Sequence, residues 1–221
     1  MTVEYPQFIG EPKESVATLN KLMKKFVNGH MPALKINADP NPNDFVYSCG
    51  YQVTSLSPDL ISIDMDFYSF TGGAHGNTVT APFNYRLTNN GPKEITLANV
   101  FGKKPDLKTL QTLVRPRLLE ELYPDDDGAD REWINTGTAD LSCFQCISID
   151  KDGLTFNFQQ YQVACYADGA PSITVSYTEL KDMFTPTSPI YSIVKAATHE
   201  SSTLTKTANR QTFDTFYRSH R

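Results

Sequence analysis

Three successive stretches of alternating residues constrain this chain more than any other feature. They are Phe45, Tyr47, Cys49, Tyr51 and Val53; then Ile61, Ile63, Met65 and Phe67; then Val79, Ala81, Phe83, Tyr85 and Leu87. A period of two sets each apolar series on one face of a strand, so each stretch reads as a strand with one face buried. Ser57-Pro58-Asp59 separates the first two, and Asn89-Asn90-Gly91-Pro92 closes the third with strong turn chemistry. The first two therefore form a hairpin and all three an antiparallel meander. A sheet with one apolar face needs a cover. Upstream, Val16, Leu19, Leu22, Met23, Phe26 and Val27 recur at helical spacing with Lys21, Lys24 and Lys25 between them, which predicts an amphipathic helix.

Beyond the meander, Ile95, Leu97, Val100 and Phe101 lead into a second helix beginning near Pro105-Asp106, with Leu107, Leu110, Leu113, Val114 and Leu118 as its apolar positions. Pro116 inside that pattern is expected to kink or divide it. A polar loop is expected from Pro124 to Asp140. A second strand-rich region follows: Cys143 to Ile149, a turn at Asp150-Lys151-Asp152-Gly153, Leu154 to Phe158, and Ile173 to Tyr177. A short last helix holds Leu180 and Phe184. From residue 185 onward the chain is Ser/Thr-rich, although Phe213, Phe216 and Tyr217 offer it docking groups. The fold class is thus α+β, with antiparallel sheet packed against two main helices, as one domain over 1–184 and a C-terminal extension over 185–221. The hydrophobic fraction of 39% is enough for a core of that size.

Charge narrows the partners. The net charge of −5 argues against nucleic acid, whose phosphates require a basic surface. The extension alone is +3, from Lys195, Lys206, Arg210, Arg218 and Arg221 against Glu200 and Asp214, leaving −8 on the body. An acidic body steers toward a basic partner. No run approaches the roughly 20 apolar residues of a membrane span, and Met1-Thr2-Val3-Glu4-Tyr5-Pro6 is not a signal peptide. Taken alone these read as cytoplasmic; an export signal ahead of Met1 would reverse that.

Four cysteines, Cys49, Cys143, Cys146 and Cys165, are disulfide candidates with three fully paired connectivities. Buried thiols or structural disulfides, one bridge plus two free thiols, and a metal site are the open readings. Cys143-Phe-Gln-Cys146 falls in a predicted strand, whereas thioredoxin-like chemistry needs the pair at a helix N-terminus. A zinc site needs a second close pair, and Cys49 and Cys165 stand alone.

Gly72-Gly73-Ala74-His75-Gly76 joins two predicted strands. Its glycines suit a bulged connection and leave amides uncovered, so it reads either as a structural turn or as a ligand or partner contact. No Gly-Lys-Ser/Thr follows, so it is not a phosphate loop. His75 has two readings: general base with Asp64 or Asp66 as its orienting acid, or a loop-fixing residue bonded to backbone. No nucleophile accompanies it, so no catalytic residue is assigned. His30, His199 and His220 have no spacing that makes a metal site with it. Asp125 to Asp130 fails the EF-hand pattern, with Ala129 at the fifth position and no closing Glu. Tyr161, Tyr166 and Tyr177 read as recognition or packing residues, and Glu120 and Glu121, being adjacent, point apart. No cofactor and no metal are expected.

Two segments carry a resemblance. The first is Phe67-Tyr68-Ser69-Phe70-Thr71-Gly72-Gly73-Ala74-His75-Gly76, with Phe83-Asn84-Tyr85 and Ile95-Thr96-Leu97-Ala98-Asn99-Val100-Phe101. The second is Leu154-Thr155-Phe156-Asn157-Phe158, Tyr161, Tyr166-Ala167-Asp168-Gly169 and Ile173 to Leu180. Over residues 61–184 the chain resembles the extracytoplasmic domain shared by RsiV-type anti-sigma factors and the N-terminal region of PdaC-type peptidoglycan deacetylases. That resemblance implies a noncatalytic α+β module outside the cytoplasmic membrane, which binds lysozyme in RsiV and accompanies a separate catalytic domain in PdaC. This chain departs from both: it has no transmembrane helix, no sigma-binding segment and none of the deacetylase's metal-binding Asp and His motifs. The expectation is an extracytoplasmic binding domain for lysozyme or a cell-wall component such as peptidoglycan. Its expected contacts are Tyr68, Gly72, Gly73, His75, Gly76, Tyr161 and Tyr166. The rival readings are an envelope interaction module working through its tail, and a wall hydrolase or deacylase using His75.

Overall fold

A computed structural model describes residues 2–31, 46–102, 105–124 and 131–204, with side chains as far as 198. The alternating stretches form a five-stranded sheet of β1 (Thr2–Val3), β2 (Val46–Ser57), β3 (Leu60–Phe70), β4 (Asn77–Thr88) and β5 (Gly91–Glu94), in that spatial order. β1 is parallel to β2 and the other neighbours are antiparallel. Phe45 lies outside the described residues. The sequence pattern did not anticipate β5: Gly91 at φ 93° lets the chain reverse through Asn89-Asn90 straight into another strand. The predicted cover is helix α1 (Lys13–His30), which lays Leu19, Met23 and Val27 against Ile61, Ile63, Met65, Phe67 and Phe83. Each of these large buried side chains contributes about 1.5–3 kcal/mol.

The second half builds a separate core. The Ile95–Phe101 stretch is itself a short helix, α2 (Leu97–Phe101), closed by a capping box between Thr96 and Asn99. Helix α3 (Leu107–Leu122) starts at an Asp106 cap and is not divided by Pro116, contrary to expectation. Pro116 and Thr112, whose carbonyl loses its partner, both face solvent, while Leu110, Val114 and Leu118 hold the other side in the core. The expected polar loop also needs correction, because helix α4 (Arg131–Gly137) lies within it; Asp125 to Asp130, and with them the calcium reading, lie outside the described residues.

A three-stranded antiparallel sheet follows, made of β6 (Ile147–Ile149), β7 (Gly153–Asn157) and β8 (Ser172–Ser176). The strand predicted from Cys143 shrinks to three residues, because an Asp140 cap winds Leu141–Phe144 into a 3-10 turn. Helix α5 (Tyr177–Leu180) then leads to α6 (Tyr191–Leu204). The extension expected from 185 begins as part of the body: Ile190 and Val194 are buried in the second core, and Arg86 donates to the Pro189 carbonyl. Phe213, Phe216 and Tyr217 lie outside the described residues.

The two sheets meet edge to face. β6 is an outer strand, and its backbone is closed by side chains from the face of β3 and β4 turned away from α1. The Ile149 N–H donates to Ser62 Oγ (2.9 Å), Ser62 donates to Asn84 Oδ1 (2.6 Å), and Asn84 Nδ2 donates to the Ile147 carbonyl (2.6 Å). Beside them Ser148 donates to Asp64 and accepts from Asn157. Burial pushes the Asp64 carboxyl up to about 6; the Ser148 hydroxyl opposes this, while Asp150 and Asp66 reinforce it.

Candidate functional site

At the end of the β3–β4 hairpin the structure gathers five of the seven predicted contact residues. The His75 ring uses both nitrogens: Nδ1 donates to the Gly76 carbonyl (2.9 Å), and Nε2 shares a hydrogen bond with the Tyr161 hydroxyl (3.1 Å). Tyr166 also donates to the Gly76 carbonyl (2.9 Å), and its ring stacks on His75 with centroids 3.6 Å apart. Tyr68 lies against Gly76, where a Cβ would fall 2.3 Å from the Tyr68 hydroxyl oxygen, so glycine is what fits. Gly72 and Gly73 are exposed, at φ 91° and 103°, and a Cβ on either would meet open space. Their part is to turn the hairpin. Neither carboxylate offered as an acid partner reaches His75: Asp66 accepts from Thr80, and Asp64 from Ser148.

Tyr161 is the centre of the arrangement. It is 50% exposed and sits at φ 65°, the left-handed region that a bulky aromatic residue rarely occupies. Backbone held there persists only when its surroundings dictate it. They do so through Trp133, whose indole N–H donates to the Tyr161 carbonyl (3.1 Å), and through three glutamines. Gln159 bonds both the N–H and the carbonyl of Thr80, Gln160 accepts from Thr78 N–H, and Gln162 donates to the Gly137 and Cys143 carbonyls. Behind them α4 approaches so closely that a Cβ on Gly137 would stand 2.0 Å from the Gln162 carbonyl oxygen. Trp133 and the glutamines were missed at the sequence level. The chain's single Trp, placed in a polar stretch, was the one available signal.

Among the described residues no group of three or more His, Cys, Asp or Glu side chains is placed to hold a metal ion. All four cysteines are free in the structure: Cys49 lies in the α1 core, Cys143 in the turn after Asp140, Cys146 against the Thr80 carbonyl, and Cys165 beside Asp168. Burial, helped by Asp66, pushes the Cys49 thiol up to about 11. Burial, with Asp64 adding to it, raises Cys146 to about 12, so both stay protonated and unreactive. Tyr177 is core, its hydroxyl donating to the Asp150 carbonyl. His30 bonds the Phe26 carbonyl and stacks on Phe67.

Comparison with known proteins divides the chain at this cluster. Residues 1–78 match the family described as Deacetylase PdaC, and residues 98–178 match a family described as a protein of unknown function, DUF3298. Each match covers a little over a third of the chain. The chain also aligns with the peptidoglycan-N-acetylmuramic acid deacetylase PdaC of Bacillus subtilis (strain 168), at 26% identity over 183 residues, or 82% of this chain. The chain spans 38% of that relative's length. A DUF3298 family structure from Bacteroides fragilis shares the fold, with a TM-score of 0.52 and 22% identity over 83% of this chain and 68% of its own. Tyr68, His75 and Gly76 lie in the stretch that matches the first family, and Trp133, Tyr161 and Tyr166 in the stretch that matches the second. The cluster is therefore built where the two matched stretches meet. No helix among the described residues is long and apolar enough to cross a membrane.

Proposed function

We propose that this chain is a noncatalytic binding domain that acts outside the cytoplasmic membrane and recognises a cell-wall component through the Tyr161–His75–Tyr166 surface. The observation that carries this reading is Tyr161: a half-exposed aromatic ring locked into an unfavourable backbone conformation by Trp133, His75 and the glutamine loop. Pre-organised aromatic rings with polar edges are the usual material of recognition surfaces, because they bury large area with little entropy to lose. Kinship with a peptidoglycan deacetylase supports the wall as the source of the ligand. The full bonding of His75 to Gly76 and Tyr161 speaks against its use as a general base.

Isothermal titration of the protein with soluble peptidoglycan fragments tests this, with Tyr161→Ala expected to lose at least about tenfold in affinity. The net charge of −5 favours a second reading, a basic wall-active protein such as lysozyme, and titration with lysozyme is its test. Absence of binding to both at high micromolar concentration would sink the proposal. So would wall hydrolysis or deacylation that disappears in His75→Ala.

A further inference from the structure

A cleft of about 760 Å³ opens between α1 and the outer strand β2. It is lined by Lys21 and Lys24 of α1, by Glu4, Tyr5 and Gln7 after β1, and by Tyr51 of β2. The segment after β1 is fixed in place, because the Asn20 side chain bonds both the N–H (2.8 Å) and the carbonyl (2.9 Å) of Phe8. The cleft is therefore preformed. Lys21 and Lys24 stand three residues apart on the helix, and neither enters an ion pair among the described residues. Like charges at that spacing repel, so an anion held between them is favoured. Helix α1 as a whole carries +3, from four lysines against Glu14, in a chain of net charge −5.

Beside the cleft β2 has an open edge among the described residues. β1 pairs only with Ser48 and Cys49, and Glu4 N–H closes that ladder on the Cys49 carbonyl (2.9 Å). Pro6 follows and has no N–H with which to extend it. Because the Cys49 carbonyl faces outward, strand alternation turns the N–H and C=O of Tyr51 and the N–H of Val53 outward too, as far as the bulge at Thr54. The side chains of Tyr51 and Val53 share the α1 face with Cys49 and are 45% and 46% exposed. Leu56, 67% exposed, lies beyond the bulge on the same face, since it pairs with Ile61 of the α1 core.

We infer that cleft and edge together take a short acidic peptide, which adds to β2 beside Tyr51 and Val53 and places a carboxylate on Lys21 and Lys24. Residues paired across neighbouring strands send their side chains to the same face. A peptide residue beside Tyr51 therefore points to the α1 face, where the two lysines lie, and the residue two places along meets Val53 and Leu56. The chemistry recognised is an acidic and an apolar side chain two residues apart on an extended backbone. A phosphate polymer would engage the lysines and leave the edge amides and the apolar side chains unused. The site goes beyond the binding reading above and uses none of its residues.

Fluorescence polarisation tests this, with the full chain titrated into a labelled synthetic peptide that repeats glutamate and valine two residues apart, spaced by serine. Saturable binding at micromolar concentration is expected, weakened at least about tenfold when lysine replaces glutamate in the peptide. Lys21→Glu combined with Lys24→Glu should weaken the glutamate peptide by a similar factor at an unchanged melting temperature. Lys21→Gln with Lys24→Gln serves as the second variant should the reversed charges misfold. The Tyr51 and Val53 amides should exchange about tenfold slower with peptide bound. No binding, or equal binding of the glutamate and lysine peptides, overturns the inference. So does bound peptide that leaves those two amides unprotected, or inorganic polyphosphate that displaces it with equal affinity, either of which reduces the site to a basic patch. A particle of twice the 24.7 kDa chain mass with both amides already protected before peptide is added overturns it in favour of a second copy.

Discussion

β6 and β2 are both outer strands of their sheets, and they end up in opposite situations. The outward groups of β6 are satisfied by Ser62 and Asn84, polar side chains on the face of the other sheet, at 2.6–2.9 Å. Among the described residues β2 is covered by β1 at two residues and is open from 51 to 57, with apolar side chains beside the open backbone. The first edge is an internal joint, in which each buried polar group has a named partner and no buried side-chain N or O among the described residues lacks one. The second has exposed apolar side chains and neither charge nor proline from Gly50 to Ser57. The difference teaches that the polar residues of this chain serve assembly within the molecule, while its uncharged stretch faces outward.

The largest expected effect lies on the closed side. Gly137→Ala sets a methyl against the Gln162 carbonyl and Val163, with backbone on one side of the clash. Urea denaturation should show a loss of about 3 kcal/mol, and the Tyr161 loop should lose its exchange protection. An unchanged midpoint would mean that α4 does not hold the loop.

Next comes the joint itself. Asn84→Ala strips the partner from the buried Ile147 carbonyl and should cost about 2 kcal/mol. Hydrogen exchange should then speed up at Ile149 and leave Tyr51 and Val53 untouched. If both edges respond alike, the contrast between them is false.

Acidity probes the same joint more gently. The Asp64 carboxyl is raised in the folded state to about 6 from an ordinary value of 3.8, so the folded chain binds the extra proton. Its contribution to stability is complete below about pH 4 and is lost as pH rises through 6, on the order of 2 kcal/mol after solvent screening. Thermal melts of the parent and of Asp64→Asn between pH 4 and 8 should show this slope vanish in the variant, which still accepts the Ser148 hydroxyl. A parallel slope in both would remove Asp64 as its source.

The smallest effect belongs to the candidate site. Tyr161→Phe removes only the hydroxyl that reaches His75 and should cost about 0.5 kcal/mol of stability. Any loss of ligand affinity well beyond that would show the hydroxyl contacting ligand directly. No loss at all would leave the ring alone as the recognition element.

Much of the architecture was legible in local pattern. Alternation located β2, β3 and β4, and the spacing of Leu19, Met23 and Val27 located α1, because both periodicities are properties of the backbone that side chains need only follow. Errors gathered where caps and packing override pattern. Asp140 winds Cys143 out of its expected strand, and α4 and α6 are helices whose apolar residues make sense only against the second core. Of the candidate site, the Gly72–Gly76 connection and Tyr161 stood out by composition. The glutamine contacts did not, because an exposed-looking Gln159-Gln160 pair carries no sign of the strand edge it will bond.

The sequence by itself determined an α+β chain with a meander under an amphipathic helix, a glycine-rich hairpin end and an acidic body. Those follow from near-neighbour chemistry: period, turn residues and charge. Only the tertiary structure decided that Tyr161 meets His75 across 86 residues of chain and Tyr166 meets Gly76 across 90, and that, among the described residues, one outer strand is closed while the other is open. The physical reason is shared: a side chain's partner at long range is set by which faces the cores bring together, and no local periodicity encodes that.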